Sequence, residues 1–244
     1  MKNTIIVYGR HAVNEVISNK NRKIHKIYST RKNLDLVANR PELEVVSDEI
    51  LEANIKKYNN NKLLHQGIFA IVNRLSQPKL EIILSQNPNF LLLLDEIQDS
   101  QNLGAIIRSA LLFKSNAVIT TLNNSPDENS QIIKAASGAF ERIPLVKVVN
   151  LTDTINILKK QNFWIIGLSC NGNKNLREVA LKFKQGEKIG LVIGNEERGI
   201  RQRVADACDF LVKIPINNQS NLDSLNASNA AAIALYEISQ SLNY

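Results

Sequence analysis

Phe90-Leu91-Leu92-Leu93-Leu94-Asp95-Glu96-Ile97-Gln98-Asp99-Ser100-Gln101-Asn102-Leu103-Gly104 is the stretch whose reading decides the fold. Its apolar run is far too short to span a membrane and lacks the polar alternation of a half-wetted strand, so it reads as a strand buried on both faces. The polar, glycine-containing segment behind it, with Arg108 one helical turn past Gly104, reads as a loop that opens a helix. The pattern recurs downstream. Residues 189–193 run into Gly194-Asn195-Glu196-Glu197-Arg198-Gly199. Residues 210–214 precede Ser224-Leu225-Asn226-Ala227-Ser228 and the Ala-rich run from Asn229 to Ala234. Polar loops at strand ends are where α/β proteins carry their chemistry, so the three loops read as one site.

Outward from that stretch, strands are expected at 90–94, 117–121, 163–168, 189–193 and 210–214. Helices are expected at about 103–113, 129–137, 151–161, 200–205 and 228–241. Apolar strands alternating with amphipathic helices predict an α/β domain, a parallel sheet covered on both faces. Before it, strands at 5–8, 24–29, 43–46 and 68–72 alternate with helices starting near Arg10, Leu34 and Ser47. Ser47-Asp48-Glu49 supplies a capping hydroxyl and early acids, as a helix start prefers. Ser76-Gln77-Pro78 and Ser85-Gln86-Asn87-Pro88-Asn89 interrupt both patterns. The expected division is a first domain at 1–76, a linker at 77–89 and a second domain at 90–244.

The net charge of +7 is uneven. Residues 1–80 hold 14 Lys and Arg against 7 Asp and Glu, whereas residues 81–244 hold 16 of each. A basic module beside a neutral one suits a polyanion binder attached to a separate active domain, and equally a soluble basic surface. No signal-peptide pattern, membrane-length apolar run or cysteine motif appears, and a cytosolic (cytoplasmic) protein without membrane attachment is expected. Neither a phosphate-binding Gly-x-x-x-x-Gly-Lys loop nor a Gly-x-Gly-x-x-Gly turn is present, which disfavours ATPases and ordinary dinucleotide enzymes. His11, His25 and His65 share no ligand-like spacing, so no metal is expected. All three precede residue 90, leaving the second domain without histidine, the usual general base near neutrality. Methyl transfer from a sulfonium donor suits that restriction, because the leaving group is already good and alignment does most of the work.

Taken singly, each loop is explained as a helix cap or a tight turn; their joint order carries the argument. Asp99, Asn102, Gly104 and Arg108, then Gly194, Glu196 and Gly199, then Ile214-Pro215-Ile216 with Ser224-Leu225-Asn226-Ala227-Ser228 resemble the three motifs of the SpoU branch of knotted RNA methyltransferases. That family transfers methyl from S-adenosylmethionine to an RNA ribose 2′-hydroxyl. Val7-Tyr8-Gly9-Arg10-His11-Ala12-Val13 is similar to the start of the substrate-binding domain in its members that methylate a 23S rRNA guanosine. Ser100 and Ala227 stand where the family pattern has proline and valine. The loop between Pro215 and Ser224 is longer than the family's and lacks its glycine.

The resemblance implies a C-terminal trefoil knot, a homodimer and an N-terminal RNA-binding domain like small ribosomal proteins. It implies S-adenosylmethionine as cofactor, held mainly by backbone at Gly194, Ile214 and Leu225, with Ser224, Asn226 and Asn102 at its methionine end. Asn102, Arg108, Glu196 and Asn226 would form the catalytic set, and Arg10, His11 and Arg108 would meet RNA. A guanidinium keeps its proton to above about pH 12, so Arg108 is expected to bind a phosphate and stabilise alkoxide charge rather than act as a base. The expected substrate is 23S rRNA. The alternatives are tRNA, or a non-catalytic RNA-binding role in ribosome assembly.

Overall fold

The computed structural model describes residues 3–37, 40–58, 64–216 and 224–242, which fall into two compact units. The first comprises residues 1–76 together with 127–142, and the second comprises 77–126 and 143–244.

In the first unit the chain runs β1 (Thr4–Tyr8), α1 (Arg10–Ser18), β2 (Ile24–Ser29), α2 (Leu34–Val37), β3 (Leu43–Val45), α3 (Asp48–Lys56) and β4 (Ile68–Asn73). The sheet order is β1-β4-β2-β3, with β4 antiparallel to both neighbours and β3 parallel to β2. Ser47 caps α3 as expected, its side chain accepting from Ile50 N–H. Ile6, Tyr8, Leu51, Ile55 and Phe69 form the core on one face, where the Tyr28 and Phe69 rings stack with centroids 4.8 Å apart.

Residues 127–142 join this unit although in sequence they connect strands of the other. They carry α6 (Ser130–Ala136), which packs on β1, and a short 3-10 turn at Ala139–Glu141. A buried charge cluster fixes them. The wholly buried Arg22 side chain donates to Glu128 Oε1 at 2.6 Å, through Nε to Glu141 Oε2 at 3.1 Å, and to the Asn73 carbonyl at 2.8 Å. Leu75 N–H donates to Glu128 Oε2 at 2.8 Å, and Asn19 Nδ2 donates to Glu141 Oε2 at 2.7 Å. Burial raises the Glu128 carboxyl above the usual carboxylate range, outweighing Arg22 and the Leu75 N–H, and the charge of Glu141 pushes the same way.

The second unit opens with α4 (Leu80–Ser85), inside the expected linker, whose Leu80 and Ile83 enter the unit's core. It continues with β5 (Phe90–Asp95), α5 (Ser100–Leu112), β6 (Ala117–Thr121), β7 (Leu145–Val148), α7 (Leu151–Lys160), β8 (Phe163–Leu168) and β9 (Lys174–Asn175). Then come α8 (Leu176–Ala180), β10 (Lys188–Gly194), α9 (Gln202–Asp206), β11 (Phe210–Lys213) and α10 (Ala227–Ser241). All strand pairs are parallel in the order β7-β6-β5-β10-β8-β11-β9. Every residue of β5 is buried, as its unbroken apolar run requires, and Leu91, Leu93, Ile119, Ile165 and Val192 centre the core. Strands β7 and β9 were not expected from the sequence. No helix of the described residues is long and apolar enough to cross a membrane.

Candidate active site

The sheet of the second unit reverses its winding between β5 and β10. From β5 the chain steps outward through β6 to β7, whereas β8, β11 and β9 lie beyond β10 on the other side. In open α/β sheets ligands bind in the crevice outside the carboxyl ends of the strands at such a switch point. Two of the three loops singled out in the sequence leave β5 and β10 there.

The β5 loop ends at Asp99, which caps α5 by accepting Asn102 N–H at 2.7 Å. Helix α5 therefore begins at Ser100, and Asn102 lies in its first turn rather than at its cap. At the exit of β10, Asn195 and Gly199 exchange backbone hydrogen bonds of 3.0 and 2.9 Å, folding the Asn195–Gly199 loop into a tight turn. A side chain at Gly194 would collide with the backbone of Gly199 and Ile200, so only glycine closes this turn. Asn226 caps α10, accepting Ser228 N–H at 2.9 Å and Ser228 Oγ–H at 2.6 Å. Helix α10 packs on α5, where Phe113 and Tyr236 meet edge to face at 5.9 Å.

These three origins bring Asn102, Glu196 and Asn226 into one row. Asn226 Nδ2 donates to Asn102 Oδ1 at 3.1 Å, and Asn102 Nδ2 donates to Glu196 Oε1 at 2.7 Å. Every donor in the row points the same way, from Ser228 through the two amides to the carboxylate. The end bond is charge-assisted and is the strongest of the set. Such a row holds two carboxamides in fixed orientation with N–H and carboxylate valences left over for a ligand. Among the described residues no cluster of three or more His, Cys, Asp or Glu suits a metal ion.

The remaining expected residues are placed differently. Arg108 is exposed on α5 and makes no hydrogen bond or ion pair with any described residue. Gly194 is buried at the end of β10, Ile214 follows β11 half-buried, and Ser224 and Leu225 are exposed just before α10. The longer loop at 217–223 lies outside the described residues. In the first unit His11 is exposed, whereas the guanidinium of Arg10 is held by an ion pair with Asp35 and a 3.1 Å bond to Asn33. Asp95, Asn195 and Arg201, which join the β5 and β10 exits, escaped the sequence reading. The available signal was a carboxylate closing a fully apolar strand, since a buried charge demands a partner.

Comparison with known proteins agrees with this architecture. Residues 89–236 match the SpoU rRNA Methylase family, and residues 6–78 match the RNA 2'-O ribose methyltransferase substrate binding family. The chain is 34% identical over 242 residues to the 23S rRNA (guanosine-2'-O-)-methyltransferase RlmB of Coxiella burnetii, covering 95% of this chain and 94% of that one. The SpoU methyltransferase AviRb of Streptomyces viridochromogenes shares the fold, with a TM-score of 0.80 at 20% identity, covering 99% of this chain and 91% of that one. An AdoMet-bound rRNA methyltransferase of Sinorhizobium meliloti superposes with a TM-score of 0.79 at 22% identity, covering 99% and 88%. With its family match, its near full-length relative and its polar row at the switch point, the chain belongs to the SpoU rRNA methylase family.

Proposed function

We propose that this chain transfers a methyl group from S-adenosylmethionine to a ribose 2′-hydroxyl of RNA, a guanosine of 23S rRNA. The observation that carries the reading is the Asn226–Asn102–Glu196 row, built from the three loops whose motifs define the family. Its support for the cofactor lies in the surroundings. Ile216 and Leu225 keep 38% and 37% of their surface exposed, and Leu225 directly precedes Asn226 of the amide row. Exposed aliphatic surface beside fixed amides and a carboxylate suits a ligand with an aromatic base and a zwitterionic tail.

Backbone at Gly194, Ile214 and Leu225 would hold that ligand, and Ser224, Asn226 and Asn102 would orient its methionine end. When bound, the cofactor supplies a methyl on positive sulfur; the 2′-oxygen–carbon bond forms as the sulfur–carbon bond breaks. Glu196 orients Asn102 and, through it, Asn226. Arg108, with no hydrogen bond or ion pair among the described residues, is available to an RNA phosphate and to the charge developing on the 2′-oxygen. The proton passes to a phosphate oxygen or water, since Arg108 keeps its own.

The same reading assigns the N-terminal unit to RNA binding, in keeping with the basic excess of residues 1–80. Exposed His11, with Arg10 braced by Asp35, would meet RNA at the end of β1. A trefoil-knotted C-terminal half, a homodimer and a cytoplasmic location belong to the proposal.

The test is transfer of labelled methyl from S-adenosylmethionine to unmethylated 23S rRNA and, separately, to unmethylated tRNA, followed by mapping of the label. Label on one 23S ribose 2′-oxygen is expected. Label on tRNA alone would keep the chemistry and overturn the substrate. Label on neither would favour a non-catalytic RNA-binding role.

A further inference from the structure

A second polar cluster joins the exits of β5, β6 and β10. Asp95 is fully buried at the end of β5. Arg201, which precedes α9, gives its backbone N–H to Asp95 Oδ2 at 2.8 Å. Its Nε and Nη2 reach Asp95 Oδ1 at 2.9 and 2.6 Å. Its third nitrogen, Nη1, contacts Glu96 Oε1 at 2.9 Å, where Asn124 Nδ2 from the β6 exit also donates at 2.9 Å. Glu96 itself has φ +59°, a left-handed conformation that non-glycine residues hold only when their surroundings impose it. Its carbonyl accepts Asn195 Nδ2 at 2.9 Å, and Asn195 Oδ1 in turn accepts the N–H groups of Glu197 and Arg198 at 3.0 and 3.3 Å.

We propose that Arg201 is a positioning residue, pinning the strained Glu96 turn to the β10 exit and so setting the distance between Asn102 and Glu196. The inference rests on the methyl-transfer reading above. Glu96 begins the short loop that ends at the Asp99 cap of α5, whose first turn carries Asn102. Asn195, bonded to the Glu96 carbonyl, is the residue before Glu196. The 2.7 Å Asn102–Glu196 bond thus spans two loops tied together at Glu96.

Neutralising Asp95 is a simpler role, and the geometry goes beyond it. The backbone N–H and two guanidinium nitrogens already serve Asp95, and the remaining nitrogen is spent on Glu96. The Arg201 side chain is also 46% exposed, so water can enter where it is removed, and the backbone N–H at 201 still serves Asp95 Oδ2.

The experiment compares Arg201→Ala, Arg201→Lys, Asn102→Ala and the Asn102→Ala/Arg201→Ala double variant. Methyl transfer is measured together with amide exchange of the cofactor-free protein over residues 96–104 and 195–200. Arg201→Ala is expected to lower kcat roughly tenfold and speed exchange in both loops while the core of β10 stays protected. Arg201→Lys should recover part of the loss, because one ammonium reaches Asp95 or Glu96 but does not fork to both. The double variant should be no slower than Asn102→Ala, since both changes act on one bond. Losses that multiply, or unchanged exchange in the two loops, would overturn the inference. Should the wild type transfer no methyl to any RNA, the methyl-transfer reading fails, and exchange still decides whether Arg201 holds the loops.

Discussion

Replacing Arg22 by methionine removes the cation lodged between two buried carboxylates and leaves a side chain of similar length. The guanidinium has no solvent access, and Glu128 and Glu141 are 3% and 1% exposed. Three acceptors lose the Arg22 donor at once, both carboxylates and the Asn73 carbonyl, while Leu75 N–H stays on Glu128 and Asn19 Nδ2 on Glu141. Breaking a buried ion pair costs about 3–5 kcal/mol, and a stranded carbonyl about 1–3 kcal/mol. These losses overlap, because water admitted to one group reaches the others. A net of about 4 kcal/mol would raise the open population of the first unit roughly a thousandfold. The assay is hydrogen exchange of peptides from β1, β4 and α6. Trp164, the single tryptophan, lies in β8 of the second unit, so its fluorescence serves as the control. Glu128→Gln supplies the pH dimension. With its folded pKa raised by burial, the Glu128 carboxyl holds, between the ordinary value and the raised one, a proton that the unfolded chain has already released. Its penalty is absent below the ordinary value of 4.5 and grows as pH rises through the folded value. Glutamine removes that pH-dependent component, at a constant cost of about 1–3 kcal/mol because its amide faces one of two donors. Unchanged exchange in Arg22→Met, or an identical pH slope in Glu128→Gln and wild type, would refute the reasoning.

Three further outcomes follow from the second unit. Gly194→Ala places a methyl in the Gly199–Ile200 backbone, a strain of about 1–3 kcal/mol that should lower the Tm by several degrees; an unchanged Tm would show that the turn relaxes freely. Asn102→Asp turns the donor facing Glu196 into a like charge and should slow methyl transfer by about 10- to 100-fold, from the ~1.5–3 kcal/mol of a charged hydrogen bond. Adding Glu196→Gln restores a donor–acceptor pair and should recover part of that loss; a double variant as slow as Asn102→Asp would count against the row. Burial, aided by the charges of Asp209 and Asp95 against Lys159, pushes the Cys208 thiol up to about 12, whereas Cys170 is exposed. A thiol reagent at pH 8 should therefore add one label per folded chain, and two labels would contradict the raised pKa of the half-buried Cys208.

The long apolar strands and capped helices were legible because their signals are local. Residues 90–94 announce a doubly buried strand, and Ser47 with its acids announces α3. Strand β7 was missed because Leu145–Val148 is four residues long and interrupted by Lys147, and β9 because two residues carry no period. Helix α4 hides between two proline-bearing breaks, and only Leu80 and Ile83, both buried, give it a purpose. Residues 127–142 defeated local reading for another reason. The sequence marks α6 as a helix but not which sheet it covers, and Arg22 lies more than 100 residues from either carboxylate. In the site, the motif spacing located Asn102, Glu196 and Asn226. The direction of their hydrogen bonds and the Arg201 tie depend on how two loops approach, which no single stretch encodes.

The central position of β10 also has a cost in time. Its partners β5 and β8 are both complete well before residues 188–194 leave the ribosome, yet they do not pair with each other. At about 5–20 residues per second, the gap from the end of β5 to the end of β10 lasts on the order of 5–20 s. Throughout it β5 presents an open edge to other nascent chains, and β8 adds a second for about the last 1–5 s. Parallel pairing at this sequence separation is slow even after release. Newly made protein should therefore be most prone to aggregate before its central strand arrives, and most dependent on chaperones then.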